Sequence, residues 1–182
     1  MEIQKLEYRM YGLVAYQLSD IQKGIQYGHS TVEYGLEKNF GKDLDYIKWS
    51  TIDKTFIILD GGSTNDNEGS IDYGSLQKNR DFLAKNEIKF SEFREPDLNN
   101  CLTAVVFLVD ERVFKRYPLF IRDVYYPDFD VYLKETYQLN IFAHNSISIE
   151  DAHPKQYKEW LELIGGETNH QLRSWLPKFK LA

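Results

Sequence analysis

The sequence predicts an α/β fold: a three-layer α/β/α domain with a four-stranded mixed sheet, last strand antiparallel, and a mainly helical C-terminal extension. Three observations predict it. Short apolar runs alternate with amphipathic helical stretches over the first 109 residues, the pattern of a sheet covered by helices on both faces. The last two runs are separated by a turn too short for a crossover, so that pair must be antiparallel. Beyond Asp110 the strand signals weaken and proline-punctuated, aromatic-rich pieces take over. Residues 1–109 are therefore expected to form the α/β domain, and 110–182 an extension packed on it.

The first strand is expected in the apolar run Tyr11 to Leu18, which ends at Ser19-Asp20, two good helix N-caps. In the helix that follows, Ile21, Ile25, Val32 and Leu36 recur near the helical period with Gly28 among them, so this stripe is expected to face the sheet. Gln22, Gln26, His29 and Glu33 then line its flank. Asp43 to Ser50 offers a short helix or turn, and Thr55 to Leu59 a β-branched and aromatic second strand stopped by Gly61-Gly62. The polar, acidic stretch Ser63 to Asp72 is expected to be an exposed, mobile loop. A helix follows from about Ser75 to Asn86. Ile88 to Phe93 alternates like a half-buried third strand, and Leu102 to Val109 reads as a more fully buried fourth.

In the extension, Lys155 to Ile164 forms one helix that Gly165-Gly166 ends, and Leu172, Leu176 and Phe179 mark a final one. Tyr117, Phe120, Tyr125, Tyr126, Phe129 and Tyr132 crowd one short segment. They pack within the monomer or supply a homodimer contact.

Composition narrows the function. A hydrophobic content of 42% supports a buried core. With 22 basic against 28 acidic residues and a net charge of -6, the chain has no global field for nucleic acid. Only a local patch such as Arg112, Lys115, Arg116 and Arg122 compensates. One cysteine, Cys101, forms no intrachain disulfide, which fits a cytoplasmic setting. There is no signal-peptide pattern at the start and no apolar window of membrane-spanning length. His144, His153 and His170 lack zinc-ligand spacing, so no metal is expected. No cofactor is expected either, since Gly61-Gly62-Ser63 lacks the lysine of a nucleotide-binding loop.

Gln26 and His29 stand three apart on a helix and emerge together. They lie near a helix N-terminus at the carboxyl end of a strand, where open α/β sheets bind ligands and where an anion is favoured. The plainer alternative is that His29 bonds a backbone carbonyl at the core edge. Likewise Glu95-Pro96-Asp97 is either part of a site or a turn stiffened by Pro96 and capped by Asp97 and Asn99.

The stretch Asp20-Ile21-Gln22-Lys23-Gly24-Ile25-Gln26-Tyr27-Gly28-His29-Ser30 resembles the Gly-Lys-x-Ala-Ala-Gln-x-x-His-Ala helix start of type II peptidyl-tRNA hydrolases. Gln26 and His29 match it. Gly24 and Ile25 replace the alanines, and Gln22 stands where the family carries lysine. Phe93-Arg94-Glu95-Pro96-Asp97 lies where the family has its Gln-Asp-Ala-Gly-Arg-Thr loop, without the Gly-Arg-Thr, and Thr103 falls near the threonines of its closing strand. The similarity covers roughly Tyr8 to Val109.

What the resemblance implies is hydrolysis of the ester joining a peptide or amino acid to tRNA, or of a related small ester or amide, by activated water. His29 or Glu95/Asp97 would orient the water, while Gln26 and Thr103 would donate hydrogen bonds to the oxyanion. Asp20, Gln22, Lys23 and Asn99 would meet the substrate, with phosphate at the helix start. The other expectation keeps the fold without the reaction, as a binding module for a nucleotide-like ligand or a protein.

Overall fold

A computed structural model describes residues 6–37, 42–114, 133, 137, 151 and 153–182. The aromatic cluster from Tyr117 to Tyr132, the basic residues Lys115, Arg116 and Arg122, and His144 lie outside the described residues. The chain divides into two compact units, residues 1–111 with 176–182, and residues 112–175.

The first unit is built on a four-stranded sheet in the order β2-β1-β4-β3. Its strands are β1 (Tyr8–Ala15), β2 (Thr55–Gly62), β3 (Phe90–Glu95) and β4 (Cys101–Asp110). β1 and β2 pair in parallel, and β4 pairs antiparallel with both β1 and β3. β1, β2 and β3 thus point one way, and β4 is inserted between β1 and β3 against them. The expected mixed sheet is present, and that insertion leaves it one parallel pair. Helix α1 (Asp20–Glu37) covers one face and α3 (Ser75–Lys85) the other, completing the three layers. Between them come α2 (Leu44–Lys48) and a π-helical turn, Trp49–Asp53. Among the described residues, no helix is long and apolar enough to cross a membrane.

β1 ends three residues before its apolar run does, because Tyr16 to Leu18 form the turn that delivers α1 and Leu18 N bonds Ala15 O at 3.3 Å. Met10, Val14, Ala104 and Val106 on the α1 side of the sheet pack with Tyr27, Tyr34 and Trp49. On the other side, Gly61 lets α3 approach, since a Cβ there would stand 2.6 Å from Leu76 Cδ1.

The expected inner face of α1 is corrected. Ile21, Ile25, Val32 and Leu36 point outward, 78%, 48%, 55% and 52% exposed, while Gln26, Tyr27, Ser30, Thr31 and Tyr34 are buried. Aromatic area decides the orientation, because two tyrosines seven residues apart bury more surface than the aliphatic stripe. Their polar company is satisfied: Tyr27 OH donates to Met10 O at 2.7 Å, Ser30 to Ser91 O at 3.0 Å, and Thr31 to Tyr27 O at 2.9 Å. Gly12 makes room, since a Cβ there would lie 2.3 Å from the Tyr27 ring.

Residues 63–66 at the start of the expected mobile loop are tied down. Buried Gln77 of α3 accepts from Asn65 N at 3.1 Å and donates to Thr64 Oγ1 at 2.8 Å and Asp66 Oδ1 at 2.7 Å. The remainder, Asn67 to Asp72, is exposed.

In the second unit, α4 (Glu111–Phe114) begins at the unit boundary, and α5 (Pro154–Ile164) and α6 (Glu167–Trp175) form a helical pair. Trp160, Ile164 and Leu133 form their core. Gly165, at φ 92°, ends α5 as the sequence predicts. The final helix stops at Trp175 instead of running to Phe179, because Pro177 disfavours helical geometry at Leu176 and a 3₁₀ turn, Leu176–Lys178, follows. Within the first unit, the last residues then pair with β2: Asp60 N donates to Lys180 O at 2.9 Å and Ala182 N to Ile58 O at 3.1 Å. An antiparallel bridge joins Leu59 and Leu181, covering an edge that would otherwise offer unpaired backbone groups.

Candidate functional site

The carboxyl ends of β1, β2 and β3 share one edge of the sheet, and the start of α1 lies there too. Ser19 and Gln22 cap that start reciprocally. Gln22 Oε1 accepts from Ser19 N at 3.1 Å and Ser19 Oγ at 2.9 Å, and Gln22 N donates to Ser19 Oγ at 3.4 Å. Asp20 is exposed, with its carboxylate 3.7 Å from Lys23 Nζ.

α1 then runs alongside β3. The β3 side chains that face it, Ser91, Phe93 and Glu95, meet Glu37, His29 and Gln26 respectively. Each contact follows from the two-residue period of the strand set against successive helical turns.

After Glu95 the chain makes a tight corner. Pro96–Leu98 form a 3₁₀ turn capped by the Glu95 carboxylate, and Asn99 and Asn100 take left-handed geometry at φ 54° and 59°. Asparagine tolerates that region better than most residues. On returning, β4 carries one extra residue: Arg94 opposes Leu102 and Phe93 opposes Ala104, leaving Thr103 as a bulge. A bulge re-aims the side chain it carries, and Thr103 Oγ1 donates to Gln26 Oε1 at 2.9 Å, with Phe93 O a second acceptor at 3.2 Å.

Gln26 is the centre of the arrangement. Its Nε2 donates to Glu95 Oε2 at 2.5 Å while its Oε1 accepts from Thr103. The carboxylate fixes the amide orientation, because a flipped amide would set oxygen against oxygen. Gln26 is only 6% exposed, whereas Glu95 is half-buried. Glu95 Oε1 lies 3.5 Å from Asp97 N, so carboxylate lone pairs remain for a water molecule.

The structure thus brings Gln26, Glu95 and Thr103 together. His29 stands next to them but is not joined to them: it is exposed, and its ring leans on Phe93 with centroids 4.6 Å apart. Asp97 and Asn99 are exposed on the corner. Asp20, Gln22 and Lys23 sit at the start of α1, about one to two turns before Gln26.

Behind the corner lies a group that sequence reasoning missed. Arg94, on the α3 face of β3, donates through Nη1 to Asp66 Oδ2 at 2.8 Å and Asn100 O at 3.3 Å, and through Nε to Glu92 Oε1 at 2.9 Å. It clamps the loop after β2 to the corner that holds Glu95. Desolvation works against ionised Asp66, but hydrogen bonds from Gln77 and Arg94 and the charge of Arg94 outweigh it and hold the carboxyl below its ordinary range. The strand alternation that puts Arg94 opposite Glu95 is readable, but its partner 28 residues earlier is not.

No protein-family model matches the chain, and no curated protein matches it.

Proposed function

We propose that this corner is a hydrolytic site for an aminoacyl or peptidyl ester of tRNA, or a related small ester or amide. One observation carries the reading: Gln26 links the Glu95 carboxylate to the Thr103 hydroxyl by hydrogen bonds of 2.5 and 2.9 Å. Glu95 is the group that accepts the proton of the attacking water. Gln26 fixes the direction of that carboxylate, and Thr103 fixes Gln26. His29, displayed on Phe93 at the rim, contacts the substrate. The similarity of the Gln26-x-x-His29 helix start to type II peptidyl-tRNA hydrolases supports the same reading.

The net charge of -6 argues that only the acylated end of a tRNA is gripped, so the salt dependence of binding is shallow. The lone Cys101 is consistent with work in the reducing cytosol.

A second reading keeps the corner as a binding site without turnover. It is favoured by the near-complete burial of Gln26, whose amide bonds are made inside the protein. Incubating the protein with N-blocked aminoacyl-tRNA at low and moderate salt separates the two. Release of the acyl group that Glu95→Gln abolishes supports hydrolysis. Retention of intact ester on the protein supports the binding module.

A further inference from the structure

We infer that the outer edge of β2 is a strand-pairing surface, which residues 179–182 cover within one copy and which β2 of a second copy takes up, antiparallel, when they lift away.

The two edges of the sheet are protected differently. β3, at one edge, carries Glu92, Arg94 and Glu95 among its six residues, and charge on an edge strand discourages pairing with another chain. β2, at the other edge, runs Thr55-Phe56-Ile57-Ile58-Leu59 without a charge before Asp60. Such a β-branched and aromatic run pairs readily with a like strand. Its cover is the returning segment, whose exposed Lys180 gives the new outermost strand a charge.

That cover is held lightly. Among the described residues, it rests on the bonds from Asp60 N to Lys180 O and from Ala182 N to Ile58 O, on either side of the Leu59–Leu181 bridge. Lys180, Leu181 and Ala182 are all exposed, Leu181 by 77%, so side-chain burial adds little. Pairing of this kind opens far more often than the core does.

The same bonds fix which residues of β2 look outward. Ile58 and Asp60 turn their backbone groups toward the segment, and by strand alternation Phe56 does the same. A two-fold pairing has to set outward residues against outward residues. A centre at Ile57 does so: Phe56 meets the partner's Ile58, and Lys54 comes opposite the partner's Asp60. The first is a favourable aromatic and β-branched pair, the second a pair of opposite charges. Phe56 is already 54% exposed. Pairs at Phe56 and Ile58 supply about four backbone bonds between copies, against the two that hold the segment. What favours the segment is its tether to the same chain, which keeps its effective concentration high.

Leu181→Pro with Ala182→Pro in the full chain tests this, because it removes the Ala182 donor and alters no other element. At micromolar concentration the Asp60 amide should exchange faster in this variant than in wild type. In sedimentation up to about 100 µM, the variant should dimerise at least about tenfold more tightly than wild type. Phe56→Lys and Lys54→Glu, each added to the variant, should weaken that dimer. A variant that stays monomeric while Asp60 exchanges fast overturns the inference, as does Asp60 exchange unchanged from wild type. So does a dimer indifferent to both added substitutions, or a wild-type dimer equally tight.

Discussion

Gln26 reaches from the second turn of α1 to Glu95 at the end of β3, and the 2.5 Å bond between them closes a gap of 69 residues in the chain. Helix and corner are thereby held as one unit, and Thr103 braces that unit from the neighbouring strand.

Thr103→Val removes the hydroxyl while keeping the shape. It should cost about 1 kcal/mol of stability, the usual worth of a hydrogen bond to a buried group, and leave Gln26 Oε1 unsatisfied. Denaturant titration measures the loss. If Gln26 matters only for packing, the same substitution leaves ester turnover at wild-type level.

Gly12→Ala places a Cβ against the Tyr27 ring. That ring belongs to the core under α1 and cannot swing away without breaking its bond to Met10 O. A loss of about 1 to 3 kcal/mol is expected from overpacking, read as a lower denaturation midpoint. In Gly12→Ala with Tyr27→Leu most of that loss should be absent.

Burial raises the Tyr27 and Tyr34 hydroxyls above their ordinary value of 10.0. The folded state keeps these protons at a pH where the unfolded chain has lost them. Their contribution is therefore complete below about pH 10 and falls as pH rises beyond it. Denaturation at pH 8, 10 and 11 should show this decline, and Tyr27→Phe should make it shallower. An identical slope in the variant contradicts the assignment.

Asp66 behaves in the opposite sense. Its carboxyl titrates below the ordinary 3.8 in the folded protein, so its contribution is present above that value and is lost as pH falls through the folded one. Asp66→Asn should raise amide exchange across residues 63–66 at neutral pH, because the Arg94 clamp then loses its charge partner. Unchanged exchange would show that Gln77, Ser75 and the backbone bonds from Gly74 and Leu76 hold the loop without that charge.

The strands and the short return between β3 and β4 were legible because hydrophobic runs and turn length are local properties. The sequence also singled out Gln26 and Thr103 together, and the fold joins them by a hydrogen bond. The orientation of α1 was not legible. Its aliphatic stripe has the stronger period, but Tyr27 and Tyr34 win the interior through area that Gly12, fifteen residues before Tyr27, makes available. The bulge that aims Thr103 was equally hidden, since it depends on register between strands. Arg94 and Asp66 meet only because the loop after β2 reaches across to the end of β3.

The most direct test of the site is a double-mutant cycle on release of the acyl group from N-blocked aminoacyl-tRNA, using Gln26→Ala, Glu95→Gln and the pair. If the two side chains act as one unit, each single substitution lowers kcat/KM by about 100-fold or more and the pair falls little further. Additive losses, or turnover untouched by Glu95→Gln, would contradict the account.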